Sequence, residues 1–408
     1  MSERNATILA DSLCRMRGAA LKLGQLLSMQ DEAVLPPPLL AALERVRAGA
    51  DAMPEWQLSQ AMDAALGDGW RDKLAEFDPE PMAAASIGQV HRGVLAPALG
   101  GAEVAIKVQY PGVADSIQSD IANLGRILAL TGAVPKGLFL EHAMDVAGRE
   151  LSEECDYRLE AEHTRRFREL LHDPEGGVAV PEVVTQLSAQ HALTTTLVRG
   201  VPLDRVAAMG QRTRDSVATR LLRLTLRQLF EFRAMQTDPN WGNFLYDAES
   251  DTLSLIDFGA ARTYPFDFAA RYCDLVWATA TGNRDEVVRL ATALGFLTGY
   301  ESADVLSASV EAGLIVGEPF APGAGVFDFS ESKMTARLLK HADVLAAGSL
   351  APPPPDSYSL HRVLSGAFLA CIKLRARVPA HALLQEAYAE HSRQVRERGL
   401  ASERAVQD

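Results

Sequence analysis

The chain has 408 residues, 48% of them apolar and 23% charged, with a formal net charge of −13. That length exceeds one small core and implies two or three domains or lobes, and the composition excludes a wholly disordered chain. The negative balance, with no Lys/Arg block, excludes a protein built to grip a phosphate backbone, so nucleic acid is not an expected partner.

The four cysteines, Cys14, Cys155, Cys273 and Cys371, have no paired spacing for a zinc knuckle or a disulfide framework and are expected as reduced thiols. No window approaches the roughly 18 consecutive apolar residues of a membrane span. The start "MSERNATILADSLCRMRG" lacks a secretory apolar core and, with Glu3 and Asp11, makes a poor transit peptide. The expectation is a cytoplasmic protein, or one held peripherally on the inner membrane, without a transmembrane helix.

In chain order, apolar residues at positions 9, 13, 16, 20, 23 and 27 predict an amphipathic helix, which "LPPPLL" at 35–40 ends. "LLAALERVRAGADAMP" and "PEWQLSQAMDAALG" predict two more, so residues 1–71 form a helical extension. The Leu/Met stripe of the first helix predicts docking within the chain, the other readings being a dimer seam or a membrane surface. From "FDPEPMAAASIGQVHRGVL" through "AEVAIKVQYPG" the pattern becomes strand, tight turn, strand. A long polar-rich helix, with an interruption near its middle, is predicted over 141–171, and "PEVVTQL" and "HALTTTLVRG" predict two further strands ending at a hinge, Arg199–Gly200. The remainder is helical apart from a hairpin over "NFLYDAESDTLSLIDFG", with a proline-rich connector at 350–358 and a helix over 359–377. The implied division is 72–200 for a small β-rich lobe, 201–395 for a larger helical lobe and 396–408 for a disordered tail.

Such a pair of lobes suits a nucleotide lying in the cleft between them. Lys107 in "VAIKV" is a single lysine among apolar strand neighbours, and Asp257 in "LIDFG" ends an apolar strand. Asp238 and Asn243 in "QTDPNWGNF" lie on a loop just upstream. A phosphate-bridging cation wants hard oxygen ligands, which Asn243 and Asp257 supply, leaving Asp238 to orient or deprotonate the attacking group. On a regular helix Glu154 and Glu160 would differ by about 240° and serve different cations, Lys107 and Lys22 of "LKLGQ" being the two on offer. Glu162 is the substitute for Glu160 if the register differs; Glu153, His91 and Trp241 are expected to be solvated or packing residues.

Together "LKLGQ", "AAASIGQVHRG", "VAIKVQYPG", "ECDYRLEAE", "QTDPNWGNF" and "LIDFGA", in that order, resemble the UbiB family of atypical kinases, also called the aarF-domain or ADCK family, in its coenzyme Q branch. The resemblance spans nearly the whole chain. It implies an α+β, protein-kinase-like two-lobe fold whose N-terminal extension covers the active-site cleft. Lys107 and Glu160 become the ion pair, Asn243 and Asp257 the Mg2+ ligands and Asp238 the catalytic-loop aspartate. Lys22, Gly24 and Gln25 match the extension motif, and Glu154 with Asp156 the Glu-x-Asp motif that meets it over the cleft. ATP or ADP with Mg2+ is the implied ligand, and lipids or enzymes of the ubiquinone pathway the implied partners.

Ala83, Ala84, Ala85 and Ser86 stand where a kinase's glycine-rich phosphate loop would be. Alanine restricts φ there, so the loop is expected to be stiffer and to favour a particular nucleotide state. Gln236 and Thr237 precede Asp238 where His-Arg is usual, Asn240 replaces the loop lysine, and no Ala-Pro-Glu anchor follows "DFG". These departures favour an ATPase or small-molecule kinase over a protein kinase, with a nucleotide-gated scaffold or lipid-handling protein as the alternative.

Overall fold

The computed structural model describes residues 52–131, 140–172, 177–238, 240–348 and 354–405. The "LKLGQ" helix, with Lys22, Gly24 and Gln25, lies outside the described residues, as does "LPPPLL". One unit comprises the residues to Gly200 together with Asp247–Ala260, and a second comprises Val201–Tyr246 and the residues from Ala261 onward.

In the first unit, α1 (Glu55–Leu66) follows Pro54, whose fixed φ precedes the first turn, and stops at Gly67, whose φ of 79° only glycine adopts readily. One turn apart, Leu58 and Met62 bury themselves with Trp70 against Val104, Ile106 and Val108. Those three alternate along β4 (Glu103–Gln109), so Ala105, Lys107 and Gln109 take its other face. The sheet runs β1 (Leu74–Phe77), β3 (Gly88–Leu95), β4, β6 (Ala192–Thr196), antiparallel throughout, with β2 (Ala83–Ala84) on β3. Lys107 stands opposite Val90 on one side and Leu193 on the other.

A helix that the sequence reading passed over, α2 (Val113–Thr131), buries Ile117 and Ile121 at one-turn spacing. The helix expected over 141–171 is two, α3 (Leu140–Glu154) and α4 (Tyr157–Leu170), broken at Cys155–Asp156. The 240° argument therefore loses its premise, a regular helix through both glutamates. "PEVVTQL" is not a full strand: Val183 makes one bridge with Thr195, and Thr185–Leu187 is a single 3₁₀ turn, because Val184 and Leu187 are drawn into the core. Later in the chain β10 (Thr252–Leu255) pairs in parallel with β5 (Val178–Ala179), which seats the "DFG" segment in this unit rather than in the helical one.

The second unit is mainly helical. Its centre is α6 (Gln211–Phe230), ten of whose residues are buried. Before it come β7 (Val201–Pro202) and the single-turn α5 (Leu203–Val206). β8 (Ala234–Gln236) pairs with β11 (Ala261–Thr263), and β7 with β9 (Phe244–Asp247). Then follow α7 (Phe266–Ala280), α8 (Arg284–Ala293), α9 (Ala303–Gly317), β12 (Phe327–Asp328), α10 (Met334–Gly348), α11 (Pro355–Lys373), β13 (Arg377–Val378) and α12 (Ala380–Ala405). The segment expected as a disordered tail is thus helical through Ala405. Cys155, Cys273 and Cys371 are buried free thiols. Among the described residues no helix is long and apolar enough to cross a membrane.

His91 is fully buried on β3. Its Nδ1 donates to the Asp78 carbonyl at 2.9 Å, since a carbonyl can only accept. Its Nε2 accepts from the Gln89 amide at 2.8 Å, and the Gln89 Oε1 accepts from the Met53 N–H. Burial lowers the imidazole pKa below 6.5, against the smaller opposing pull of Asp78. The unfolded chain therefore binds a proton that folded His91 refuses, so its contribution is complete above pH 6.5 and shrinks as pH falls below that value. We expect the urea midpoint to drop between about pH 7.5 and pH 5.5, and the drop to be smaller in His91→Gln; an equal drop in the two proteins would count against this account.

Candidate nucleotide site

The site begins at the break between α3 and α4. The Asp156 carboxylate accepts the Arg158 backbone N–H at 3.0 Å, an N-cap that starts α4 at Tyr157. From that start, Tyr157, Glu160, Ala161, Thr164 and Phe167 fall on one buried face. Glu160 is 4% exposed, and both its oxygens accept from Lys107 Nζ at 2.9 Å. The same Nζ donates to Asp257 Oδ2 at 3.1 Å, while Asp257 Oδ1 accepts the Gly259 N–H at 3.0 Å. Phe258, fully buried, packs its ring 4.9 Å from that of Phe167, and its carbonyl meets His163 Nδ1 at 3.3 Å. Glu162 and Glu153 are exposed, so Glu160 takes the lysine.

One half-buried ammonium thus faces two carboxylates. Burial disfavours the charged form of Lys107, but Asp257 and Glu160 outweigh it and hold its pKa well above the ordinary value. Burial raises Glu160 to about 7, with Lys107 opposing and Asp257 adding to the shift. With both carboxylates ionised, one ammonium leaves one surplus negative charge, a setting that suits a further cation.

The alanine-rich stretch is not a free loop. Ala83 and Ala84 pair as β2 with Val90 and Gln89, and Ala85 N–H closes a tight turn on the Gly88 carbonyl at 2.9 Å. Ser86 sits in that turn, half-buried, and Ile87 is buried. Extended backbone suits alanine better than glycine, whose freedom it would cost more to fix. Gly88 itself has no substitute, because a Cβ there would lie 2.3 Å from the Val108 carbonyl oxygen.

In the second unit Asp238 and Asn243 form a pair. Asp238 Oδ2 accepts from Asn243 Nδ2 at 2.9 Å, and Oδ1 accepts the Asn240 N–H at 3.2 Å. A carboxylate only accepts, so the Asn243 amide must turn its nitrogen to Asp238, which points its oxygen elsewhere, toward a cation if one binds. Mg2+ takes few protein ligands and completes its shell with phosphate and water, so an amide oxygen such as that of Asn243 is a donor it accepts. Trp241 packs under Lys373, whose Nζ is 4.8 Å from the ring centroid. Sequence reading missed what holds this loop: Gln228 Oε1 accepts the Gln236 N–H at 2.8 Å, and buried Arg362 donates through Nε to the Thr237 carbonyl at 2.7 Å.

Glu154 ends α3, half-buried, and Asp156 spends its carboxylate on the α4 cap and on Arg158, whose Nη2 is 2.6 Å away. Two other groups were also unanticipated. Gln109 donates to the Cys155 carbonyl at 2.9 Å, and Tyr157 places its ring 5.1 Å from Lys107 Nζ. The Tyr157 hydroxyl is buried without a hydrogen-bond partner, an orphaned polar atom beside the lysine, and this fits a site that takes a polar ligand.

A strand lysine bonded to a helix glutamate beside a "DFG" aspartate, on an antiparallel sheet, with a separate helical unit bearing the Asp238–Asn243 pair, defines a protein-kinase-like α+β fold. A family model described as the ABC1 atypical kinase-like domain matches residues 45–291. The chain is 47% identical over 399 residues to "Atypical kinase COQ8B, mitochondrial" of Danio rerio, and that match covers 98% of this chain and 63% of the relative. It is 46% identical to the Rattus norvegicus protein of the same name, over 95% of this chain and 72% of the other. Against "Atypical kinase COQ8, mitochondrial" of Saccharomyces cerevisiae the figures are 39%, 95% and 77%. A solved structure of Rv3197 from Mycobacterium tuberculosis, in complex with erythromycin, superposes with a TM-score of 0.65 at 27% identity, covering 89% of this chain and 90% of that one. The chain belongs to the ABC1, or UbiB, family of atypical kinases.

Arg362→Met removes a buried donor to the Thr237 carbonyl, a loss worth about 1–3 kcal/mol. We expect a lower thermal midpoint and a displaced Asp238; a variant as stable as wild type would mean the guanidinium does not hold the loop.

Proposed function

We propose that this chain is an atypical kinase or ATPase that binds Mg-nucleotide and supports ubiquinone biosynthesis, acting on membrane-bound lipid intermediates or on the enzymes that process them. One observation carries the reading: a single half-buried ammonium bonded by both Glu160 and Asp257. On this reading residues 72–200 and 201–395 correspond to the small and large lobes of a kinase, Asp247–Ala260 joining the small one. Lys107, kept charged, neutralises the phosphate chain. Ala83, Ala84, Ala85 and Ser86 lie along it, Glu160 orients the lysine, and Asn243 with Asp257 would hold Mg2+, which neutralises charge on the transferring phosphoryl group. Asp238 orients the attacking hydroxyl or water. The relatives' printed names, atypical kinases of mitochondria, and the family's part in making coenzyme Q support the pathway. Peripheral attachment to a membrane is the corresponding location, and a second copy of the chain remains among the partners the extension would take, with Lys22, Gly24 and Gln25 acting together with Glu154 and Asp156 as its regulatory contact.

Asp257→Asn removes the carboxylate that meets both lysine and cation. We expect it to abolish Mg-dependent nucleotide hydrolysis and, in a deletion strain, to leave quinone levels unrestored. Full quinone recovery with hydrolysis lost would instead establish a nucleotide-gated scaffold. For the stiff β2 segment, Ala84→Gly is expected to shift the ratio of Mg-ATP to Mg-ADP affinity; an unaltered ratio and turnover would refute that role.

A further inference from the structure

Tyr157 is the first residue of α4 and is 1% exposed. Its backbone N–H donates to the Gln190 carbonyl at 2.9 Å, which fixes the ring's root. On its face the ring supports the Lys107 ammonium, 5.1 Å from its centroid. At its tip the hydroxyl reaches the end of the alanine-rich turn: a Cβ on Gly88 would lie 2.9 Å from it. Glycine at 88 thus leaves room for the phenol as well as for the Val108 carbonyl. The hydroxyl has no hydrogen-bond partner, and burying it so is a net cost to folding.

Phenylalanine would supply the same ring and the same face to Lys107 without that cost. The hydroxyl must therefore serve something other than packing. Its ring meets the lysine and the hydroxyl itself lies beside Gly88, and these are the two features that border a phosphate chain in the reading above. We propose that the Tyr157 hydroxyl is a nucleotide-binding group that donates a hydrogen bond to the phosphate chain of the bound nucleotide. Burial raises the phenol's pKa, so it stays a neutral donor at physiological pH. The assignment rests on the nucleotide reading and adds to it a donor that is neither charged nor part of the lysine–carboxylate cluster.

The test uses the full chain and Tyr157→Phe. The melting midpoint is measured without ligand, and the Mg-ADP dissociation constant by calorimetry. Removing an unsatisfied hydroxyl is expected to leave the ligand-free midpoint unchanged or raised. The same change is expected to weaken Mg-ADP about tenfold, equivalent to about 1.4 kcal/mol. Equal dissociation constants in the two proteins would overturn the proposal while leaving the nucleotide site standing. A lower midpoint in the variant would also overturn it, since the hydroxyl would then have a structural task. Wild type that binds no Mg-ADP at all would remove both this donor and the reading beneath it.

Discussion

The Lys107 ammonium is largely shielded from water on a sheet strand, and two carboxylates reach it and keep it charged. An unpaired ammonium in that position would lose several kcal/mol of hydration and would shed its proton instead. Everything else in the first unit has to deliver those two carboxylates. Glu160 comes from a helix and Asp257 from a segment almost 100 residues further along, and they converge within 3.1 Å of one nitrogen. With both carboxylates ionised the cluster holds one more negative charge than positive, and that is the charge a dication would offset.

The delivery runs as a closed circuit. Lys107 and Gln109 share a face of β4, two residues apart. Gln109 holds the Cys155 carbonyl, and its own Oε1 meets His191 Nδ1 at 2.8 Å, so the break between α3 and α4 is tied to the strand that carries the lysine. Asp156 then caps α4, and within its first turn the helix presents Tyr157 and Glu160 back to Lys107. The Glu-x-Asp stretch thereby has a local structural duty, setting the phase of the helix that bears the ion-pair partner. A different cap position by one residue would rotate Glu160 by about 100° away from the lysine.

Much of this was legible in the residues. The single lysine among apolar strand neighbours in "VAIKV" marked Lys107, and "LIDFG" placed a carboxylate at the end of an apolar strand, because both are local patterns. What escaped was set by tertiary context. No local pattern shows that β10 pairs with β5, so the "DFG" segment was assigned with the helical unit although it belongs to the sheet-bearing one. "PEVVTQL" has strand propensity, yet burial of Val184 and Leu187 decided its backbone. The interruption of the 141–171 helix was foreseen, but the angular argument about Glu154 and Glu160 ignored it. Asp156 ahead of an apolar-periodic run was the available signal of a new N-cap. Arg362 lies more than a hundred residues from Thr237, and an arginine in an amphipathic helix gives no sign of which carbonyl it will meet.

The departures from an ordinary protein kinase have a common physical result. In the first unit the phosphate-loop position is a paired strand, β2, rather than a glycine-rich flap. In the second, the residues leading to Asp238 are clamped by side chains from two helices, Gln228 of α6 and Arg362 of α11. After "DFG" the chain is committed at once, first to the β8–β11 ladder, where Ala261 opposes Gln236, and then to α7 from Phe266. Backbone that elsewhere would adapt to a peptide is here bonded to its own scaffold. In each unit the groups are therefore held in place before any ligand arrives, which lowers the reorganisation that binding would cost.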